Sequence, residues 1–363
     1  MPDFVPGLDL CGRFYREVVR PILGDAYPRL PYSAALLGYG SDVLGFDTEM
    51  STDHDWGPRL LLFLREDDQA RLAQPLRDLF AQRLPREFLG YPTGFRANAN
   101  GTGLAEVTEE GPIEHRIAPL TIAGLIRDYL AFDIRQEIEA ADWLTFPEQK
   151  LRTLVAGAVY HDGIGLQAVR DRFSYYPHDI WLYLLACGWT RIGQEEHFVG
   201  RTGIVGDEIG SALIASRLVC DLIRLCFLME RQYAPYAKWF GTAFARLECA
   251  GVLAPLLQRV LTATTWQERE RCLCPAYEQV AAMHNALGVT EALPEKVGLF
   301  HDRPFQVIHA VGGFAPAIRA RIQDPAIRQI AERKPIGSID QFSDSTDLVS
   351  DPIWRPTLRR LYE

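Results

Sequence analysis

The sequence lacks any apolar stretch long enough to span a bilayer, although 48% of its 363 residues are hydrophobic. Its start, MPDFVPGLDLCGRFYREVV, also lacks the basic segment followed by an apolar one that marks a signal peptide. We therefore expect a cytoplasmic location and no membrane partner. Internal repeats and low-complexity linkers are absent too, so composition marks no domain boundary.

Lysine is scarce: only four of the 38 basic residues are lysine, and the net charge is −9. A chain without a broad basic field is not expected to bind nucleic acid in bulk, so nucleic acid is an unlikely partner. Arginine suits bidentate binding of phosphate or carboxylate, but a high-GC genome favours it as well, and we prefer that explanation.

The chain has an odd number of cysteines, seven, mostly in apolar helical settings. This usage is typical of reduced core cysteines in the cytoplasm. Cys272 and Cys274 form a C-x-C without a second pair, which is weak evidence for zinc.

Apolar runs in the first third of the chain alternate between strand and helix patterns. YSAALLGYG, PRLLLFL and PIEHRIAPL have the length of buried strands, while DDQARLAQPLRDLFAQRL and TIAGLIRDYLAFD have helical periodicity. From about Ile134 onward the pattern is helical almost throughout. We therefore predict an α+β protein: an N-terminal α/β domain with a small mixed sheet over residues 1–135, and an all-α domain over residues 136–363.

Positions 38–57, GYGSDVLGFDTEMSTDHDWG, crowd negative charge into a glycine-rich bend. Because close carboxylates repel one another, a cation is expected to hold them together. The acidic residues and the histidine are Asp42, Asp47, Glu49, Asp53, His54 and Asp55.

The spacing within and after this bend suggests a metal and phosphate site. Gly40 and Ser41 follow an apolar strand, where free backbone N–H groups can bind phosphate. If the segment after Thr52 enters the next strand, Asp53 and Asp55 share one face and His54 points away. Glu114 is expected inside the third strand, where a buried carboxylate needs a partner. Side-by-side carboxylates suit a hard cation such as magnesium.

These residues resemble the signature of the DNA polymerase beta-type nucleotidyltransferase superfamily. The longer stretch GSDVLGFDTEMSTDHDWG is closer to the bacterial domain-of-unknown-function family 4037, as are GDEIGSALIASRLVCDLIRLCFLMERQYAPYAKWFG and GSIDQFSDSTDL. The resemblance implies two magnesium ions held by Asp53, Asp55 and Glu114, and a triphosphate held at Gly40 and Ser41. The spacer before Asp53 is longer than in the minimal signature, so the loop must bulge, and we interpret Asp42, Asp47 and Glu49 as its solvated rim.

In the helical part, polar residues recur along one stripe of an apolar helix, including Arg217, Asp221 and Arg224. They form either an ion-pair ladder or a phosphate-binding face, and both can hold. Lys238, between Tyr236 and Trp239, is a candidate for contacting the triphosphate, whereas Trp239 is expected to pack.

Other acidic and histidine residues have simpler explanations. The adjacent His161 and Asp162 are more typical of a turn and a helix cap than of a catalytic dyad. The carboxylates in GSIDQFSDSTDLVSD are expected at helix caps or on the surface.

The sequence as a whole suggests a magnesium-dependent nucleotidyltransferase. It would move a nucleoside monophosphate, AMP from ATP in the first instance, to a hydroxyl of an unknown small-molecule or protein acceptor. The alternative is a catalytically silent protein of the same fold that senses nucleotide or binds a partner. We favour the enzyme because all three candidate carboxylates are present.

Overall fold

The computed structural model mixes helices and strands and divides the chain into two compact units. The described residues are 3–97, 103–106, 110–310 and 312–363. The first unit comprises Met1–Glu137 and Lys150–Ser174, and the second comprises Ile138–Gln149 and Tyr175–Glu363. This division differs from a single boundary near residue 135 because the segment from Lys150 to Ser174 returns to the first unit with a strand.

The first unit contains the sheet strands and most of the short hairpins. Its strands are β1 (Tyr32–Leu36), β2 (Arg59–Leu64), β3 (Glu87–Phe88), β4 (Tyr91–Pro92), β5 (Gly94–Ala97), β6 (Gly103–Glu106), β7 (Arg116–Leu120) and β8 (Ala158–Asp162). Its helices are α1 (Gly7–Phe14), a π-helical turn (Tyr15–Val19), α2 (Arg20–Ala26), a 3-10 helix (Glu49–Asp53), α3 (Glu66–Arg83), α4 (Ile122–Leu130) and α7 (Leu166–Asp171). Helix α6 (Glu148–Val155) enters this unit at Lys150.

The main sheet has four strands in the order β7-β2-β1-β8. Strand β1 runs antiparallel to β2 and to β8, and β2 runs parallel to β7. The predicted small mixed sheet is therefore present.

Both faces of this sheet are covered, which explains why its strands read as unbroken apolar runs rather than alternating ones. Ala34 and Leu62 point to a core shared with α1, α2 and α3. Ala35 and Phe63 point to the opposite face, where Leu166 is packed.

The predicted strands at YSAALLGYG and PRLLLFL and the helices at α3 and α4 are confirmed. The third predicted strand is present but begins only at Arg116. Strand β8 was missed, because its residues follow α6 so closely that they extend the helical pattern. Gly157 separates the two at φ 73°, and a Cβ there would lie 2.1 Å from the carbonyl oxygen of Leu36.

The second unit is mostly helical. Its helices are α5 (Ala140–Thr145), α8 (His178–Glu195), α9 (Phe198–Gly203), α10 (Glu208–Met229), α11 (Ala237–Phe244), α12 (Ala250–Thr262), α13 (Trp266–Ala286), α14 (Phe314–Arg319), α15 (Pro325–Arg333), α16 (Ile339–Phe342), α17 (Thr346–Ser350), a 3-10 turn (Pro352–Trp354) and α18 (Arg355–Arg359). A hairpin of β9 (Gly298–Phe300) and β10 (Arg303–Val307) also lies here, so the prediction of an all-α second domain is wrong at this point.

Helix α8 lies at the centre of the second unit and is buried along most of its length, with Trp181, Tyr183 and Trp189 almost inaccessible. It packs against α10 and α14. None of the described helices combines the length and the apolar composition needed to cross a membrane.

Candidate functional site

Every candidate site residue of the first unit lies near the end of the main sheet where β1 ends and β2 and β7 begin. We call this end the sheet edge. Ala35 pairs with Leu61, so the end of β1 lies beside the start of β2. Arg59 pairs with Arg116 in the parallel β2–β7 ladder, so both strands begin at that same edge. The bend after β1, the segment before β2 and the segment before β7 therefore meet there. These three segments carry Gly40 and Ser41, Asp53 and Asp55, and Glu114.

Asp42 and Arg59 form a buried ion pair at this edge. The Arg59 Nη2 donates to Asp42 Oδ1 at 2.7 Å and to the Tyr39 carbonyl oxygen at 2.8 Å. The Asp42 side chain is 1% exposed and that of Arg59 is 14% exposed. Burial alone would lower the pKa of Arg59, but the charge and hydrogen bonds of Asp42 raise it above its usual value. The guanidinium therefore remains the counter-ion of Asp42 at any physiological pH.

Gly40 is explained by this ion pair. It adopts φ 128°, and a Cβ there would lie 2.1 Å from Asp42 Oδ1 and 2.4 Å from Arg59 Nη2. Only glycine tolerates both the backbone conformation and the close approach. Its neighbour Ser41 lies in the turn, where its carbonyl oxygen accepts a hydrogen bond from Phe46 N–H at 2.9 Å.

The interpretation of three acidic residues as a solvated rim is wrong for Asp42 and Asp47. It holds for Glu49. Asp42 is buried. Asp47 is half-buried and accepts hydrogen bonds from Gly7 N–H at 2.7 Å and Trp56 Nε1–H at 3.0 Å. The bond to Gly7 connects the bend to α1. Glu49 is exposed.

Asp53 and Asp55 do not lie on a strand, so the predicted alternation is wrong. Asp53 ends the 3-10 helix, and β2 begins only at Arg59. His54 does not point away either, since its Nδ1 lies 2.7 Å from Asp53 Oδ1. Asp55 has φ 51°, and its Oδ1 lies 2.5 Å from Arg116 Nη2.

Glu114 is exposed and precedes β7, so its predicted burial inside the strand is wrong. Its backbone carbonyl accepts a hydrogen bond from Phe95 N–H at 2.6 Å. The Phe95 ring lies under the Arg116 guanidinium, with 4.8 Å from the ring centre to Cζ. The segment is therefore anchored by its backbone and leaves the Glu114 carboxylate in solvent.

Sequence reasoning missed the cations of this edge, Arg59 and Arg116. The pattern gave no signal for them, because each pairs with an aspartate far away along the chain. It also missed Lys150, which is 3% exposed and donates from Nζ to the Tyr129 carbonyl oxygen at 2.7 Å.

The donor chemistry of the edge suits a hard cation, since Asp53, Asp55 and Glu114 offer only carboxylate oxygens. Across the described residues, however, no three histidine, cysteine, aspartate or glutamate side chains lie close enough together to hold a metal ion. A cation at this edge would require Asp55 to leave Arg116 and the carboxylates to move closer together.

In the second unit the ladder along α10 does not form. Arg217 binds Glu195 through Nε at 2.9 Å, and Asp221 accepts from Arg191 Nε at 3.0 Å. These ion pairs connect α10 to α8 rather than running along one helix. Burial raises the pKa of Asp221 although Arg191 opposes the shift. Its Oδ2 is buried without a hydrogen-bond partner among the described residues, and so can accept another donor.

Lys238 is exposed in the first turn of α11, with its Nζ 5.1 Å from the ring centre of Trp239. The helix start is fixed by Tyr236 N–H, which donates to Gln149 Oε1 at 3.0 Å. The prediction of a cap at Asp162 is confirmed, since its carboxylate accepts from the N–H groups of Gly165, Leu166 and Gln167.

Comparison with protein families gives one match. Residues 143–240 match the family described as Domain of unknown function (DUF4037). The matched segment begins within α5, ends within α11 and includes Arg217, Asp221 and Lys238. It does not include the candidate site residues of the first unit. No curated protein matches the chain. The match supports the family at this segment and carries no activity with it.

Proposed function

We propose that the protein is a magnesium-dependent nucleotidyltransferase of the DNA polymerase beta type. It would transfer a nucleoside monophosphate, AMP from ATP in the first instance, to a hydroxyl group of a small molecule or a protein. The observation that carries the proposal is the meeting of three segments at one sheet edge: the Gly40-Ser41 turn, the Asp53–Asp55 pair and Glu114.

Asp53, Asp55 and Glu114 would hold the metal ions. Bound magnesium supplies charge neutralisation on the attacking and leaving oxygens of an in-line phosphoryl displacement. The three carboxylates are exposed, so their oxygens are open to solvent and to a ligand. Two of them have partners at the surface: Asp53 contacts His54, and Asp55 contacts Arg116.

The Asp55–Arg116 pair is the element that suits an exchange of partners. Its side chains are 49% and 30% exposed, and exposed ion pairs contribute little stability. If Asp55 turned to a cation, Arg116 would be released at the same edge, where its planar guanidinium can bind a phosphate. Arg59 would not be released, because Asp42 holds it in a buried pair.

The turn at Gly40 and Ser41 would bind the triphosphate through backbone N–H groups and the serine hydroxyl. In the second unit, Arg217, Asp221 and Lys238 are nucleotide-binding candidates. Lys238 is the most accessible of them, being exposed and without a carboxylate partner among the described residues. It could therefore take a phosphate without breaking an existing ion pair.

A catalytically silent protein that binds nucleotide or a partner is the second candidate. It is favoured by the separation of the three carboxylates, which do not converge as a metal group among the described residues. Such a protein would keep the phosphate-binding turn and need no metal-bridged carboxylates.

The test is incubation of the purified protein with labelled ATP, GTP, CTP or UTP and magnesium, against pools of small-molecule and protein acceptors. Label should move to an acceptor. Asp53→Asn, Asp55→Asn and Glu114→Gln should each reduce transfer by about a hundredfold or more, because each removes a metal-binding charge. Glu49→Gln, at the other end of the same 3-10 helix, is the matched control and should retain activity.

The outcomes separate the two candidates. Transfer that persists in Asp53→Asn and Asp55→Asn would exclude this site. Nucleotide binding by calorimetry, with no transfer to any pool and no sensitivity to these variants, would favour the silent protein.

A further inference from the structure

The second unit has a cleft of about 460 Å³ that the sheet-edge site does not involve. Its volume is within the range of small-molecule sites. One part of its wall is apolar, formed by Leu287 and Val289, and another part is cationic, formed by Arg231 and Arg321. Trp181 and His178 of α8 also line the cleft. The wall thus combines an apolar surface with concentrated positive charge in a protein whose net charge is negative.

Trp181 provides a fixed platform in this cleft. The ring is 1% exposed, and its Nε1–H donates to the Leu228 carbonyl oxygen at 2.7 Å. Arg231 lies above the ring, with its Cζ 3.9 Å from the ring centre, and its backbone N–H donates to the same carbonyl oxygen at 3.2 Å. The indole and the guanidinium are therefore held in one arrangement, with stacking that leaves the guanidinium edge open for hydrogen bonds.

Arg231 occupies this place at a conformational cost. It follows the end of α10 with φ 51°, a left-handed position that helix ends usually give to glycine. Within the part of the chain that the structure describes, no carboxylate lies within ion-pair distance of its side chain. Arg231 is exposed in the cleft and has no carboxylate partner among the described residues, so its guanidinium is open to an anion.

The charges around the cleft leave it positive. Among the residues that the structure describes, Arg321 pairs with Glu291 at 3.4 Å, but Glu291 is 96% exposed, so solvent weakens this pair. Asp179 does not line the cleft, and its Oδ2 accepts hydrogen bonds from Gln323 N–H and Asp324 N–H. His178 is exposed at the first position of the long helix α8, where the helix dipole also favours an anion.

We infer that this cleft binds a small organic anion, whose carboxylate or phosphate head lies between Arg231 and Arg321 and whose apolar part packs on Leu287 and Val289. The cleft shares no residue with the proposed transferase site, and the inference does not depend on that site. Both head groups are planar or tetrahedral oxyanions that an arginine fork binds by charge-assisted hydrogen bonds.

The test uses two probes with the same ring, benzoate and phenyl phosphate, with benzamide as the neutral control, measured by calorimetry on the full chain. Benzoate or phenyl phosphate should bind, and benzamide should not. Arg231→Gln and Arg321→Gln should each weaken binding about tenfold or more, because each removes charged hydrogen bonds to the head. Tighter binding of one probe identifies the natural head group as phosphate or carboxylate.

Arg333→Gln is the matched control, since Arg333 is an exposed arginine of α15 that does not line the cleft. It should leave binding unchanged. If Arg231→Gln does not fold, Arg321→Gln carries the test, because its side chain is half exposed. The proposal is overturned if neither anion binds at millimolar concentration, or if both cleft variants bind as the wild type does.

Discussion

Asp42 in the first unit and Glu196 in the second are buried carboxylates that are stabilised by different partners. In the first unit, Asp42 is 1% exposed and is neutralised by the Arg59 guanidinium. In the second, Glu196 is 6% exposed and accepts hydrogen bonds from Ile308 N–H at 2.7 Å and Ala310 N–H at 3.2 Å. No arginine or lysine lies within ion-pair distance of Glu196 among the described residues.

The two sites differ in what compensates the buried carboxylate. An ion pair with Arg59 does so for Asp42, and a raised pKa does so for Glu196. The charge and hydrogen bonds of Asp42 raise the pKa of Arg59 above its usual value, so the guanidinium keeps its charge and the bend of the first unit depends on this ion pair. Backbone N–H groups only partly compensate the burial of Glu196, and burial raises its pKa to about 7. The first carboxylate should therefore respond to mutation of its partner, and the second to pH.

The largest effect is expected for Asp42→Asn. The substitution leaves the Arg59 charge partly buried without a counter-ion, which should lower the free energy of unfolding by about 3 kcal/mol or more. Urea unfolding measures it, and Glu49→Gln in the same bend should stay within about 0.5 kcal/mol of the wild type. The double variant with Arg59→Met should recover part of the loss. A loss below about 1 kcal/mol for Asp42→Asn would show that the pair is not structural.

A smaller effect is expected for Glu196, and it should depend on pH. Its pKa is about 7 in the folded protein, against an ordinary value of 4.5, so the folded state keeps the proton longer than the unfolded state does. The stability that this provides is present below about pH 4.5, falls as the pH rises and is lost above about pH 7. The total is on the order of 3 kcal/mol at most.

Urea unfolding between pH 5 and pH 8 tests this, with Glu196→Gln as the comparison. Burial and the nearby Asp340 also raise the pKa of Glu148 to about 7, so the wild type should lose stability through both groups. The variant should lose less over the same range, because glutamine does not titrate. Equal pH dependence in both proteins would contradict the raised pKa of Glu196.

The sequence predicted the fold of the first unit well where the signal was local. Strands β1 and β2 and helix α3 follow from apolar runs and periodicity. The prediction that Asp53 and Asp55 lie on a strand was wrong, although the sequence contains the residues that prevent it. Gly57 and Pro58 separate them from β2, and proline lacks the N–H that a paired strand donates, so the strand begins only at Arg59.

The residues of the candidate site stay a prediction, and the sequence did not indicate the ion pairs that the structure shows around them. Sequence spacing placed Gly40, Asp53 and Asp55 in one region of the chain. The sheet topology brings the segment that carries Glu114 to the same end of the sheet. The sequence spacing could not show that Arg59 and Arg116 supply the positive charge. Arg59 lies beside Asp42 only after β1 and β2 have paired, and Arg116 lies beside Asp55 only after β2 and β7 have paired. Both are tertiary contacts without a sequence period.

The smallest effect on stability is expected for Asp55→Asn. Asp55 and Arg116 lie closer together than Asp42 and Arg59 do, but water screens the exposed pair, so their coupling should be below about 1 kcal/mol. Asparagine also tolerates the left-handed backbone at this position, where φ is 51°, so the substitution tests the charge alone.

A double-mutant cycle of Asp55→Asn with Arg116→Gln, followed by urea unfolding, measures this coupling. Weak coupling means that Asp55 can leave Arg116 for a cation with little loss of stability, as the proposed transferase requires. Coupling as strong as that of Asp42 with Arg59 would make Asp55 a structural residue. An aspartate that cannot change its partner cannot bind a metal during turnover, so that result would contradict its catalytic role whatever the nucleotide or the acceptor.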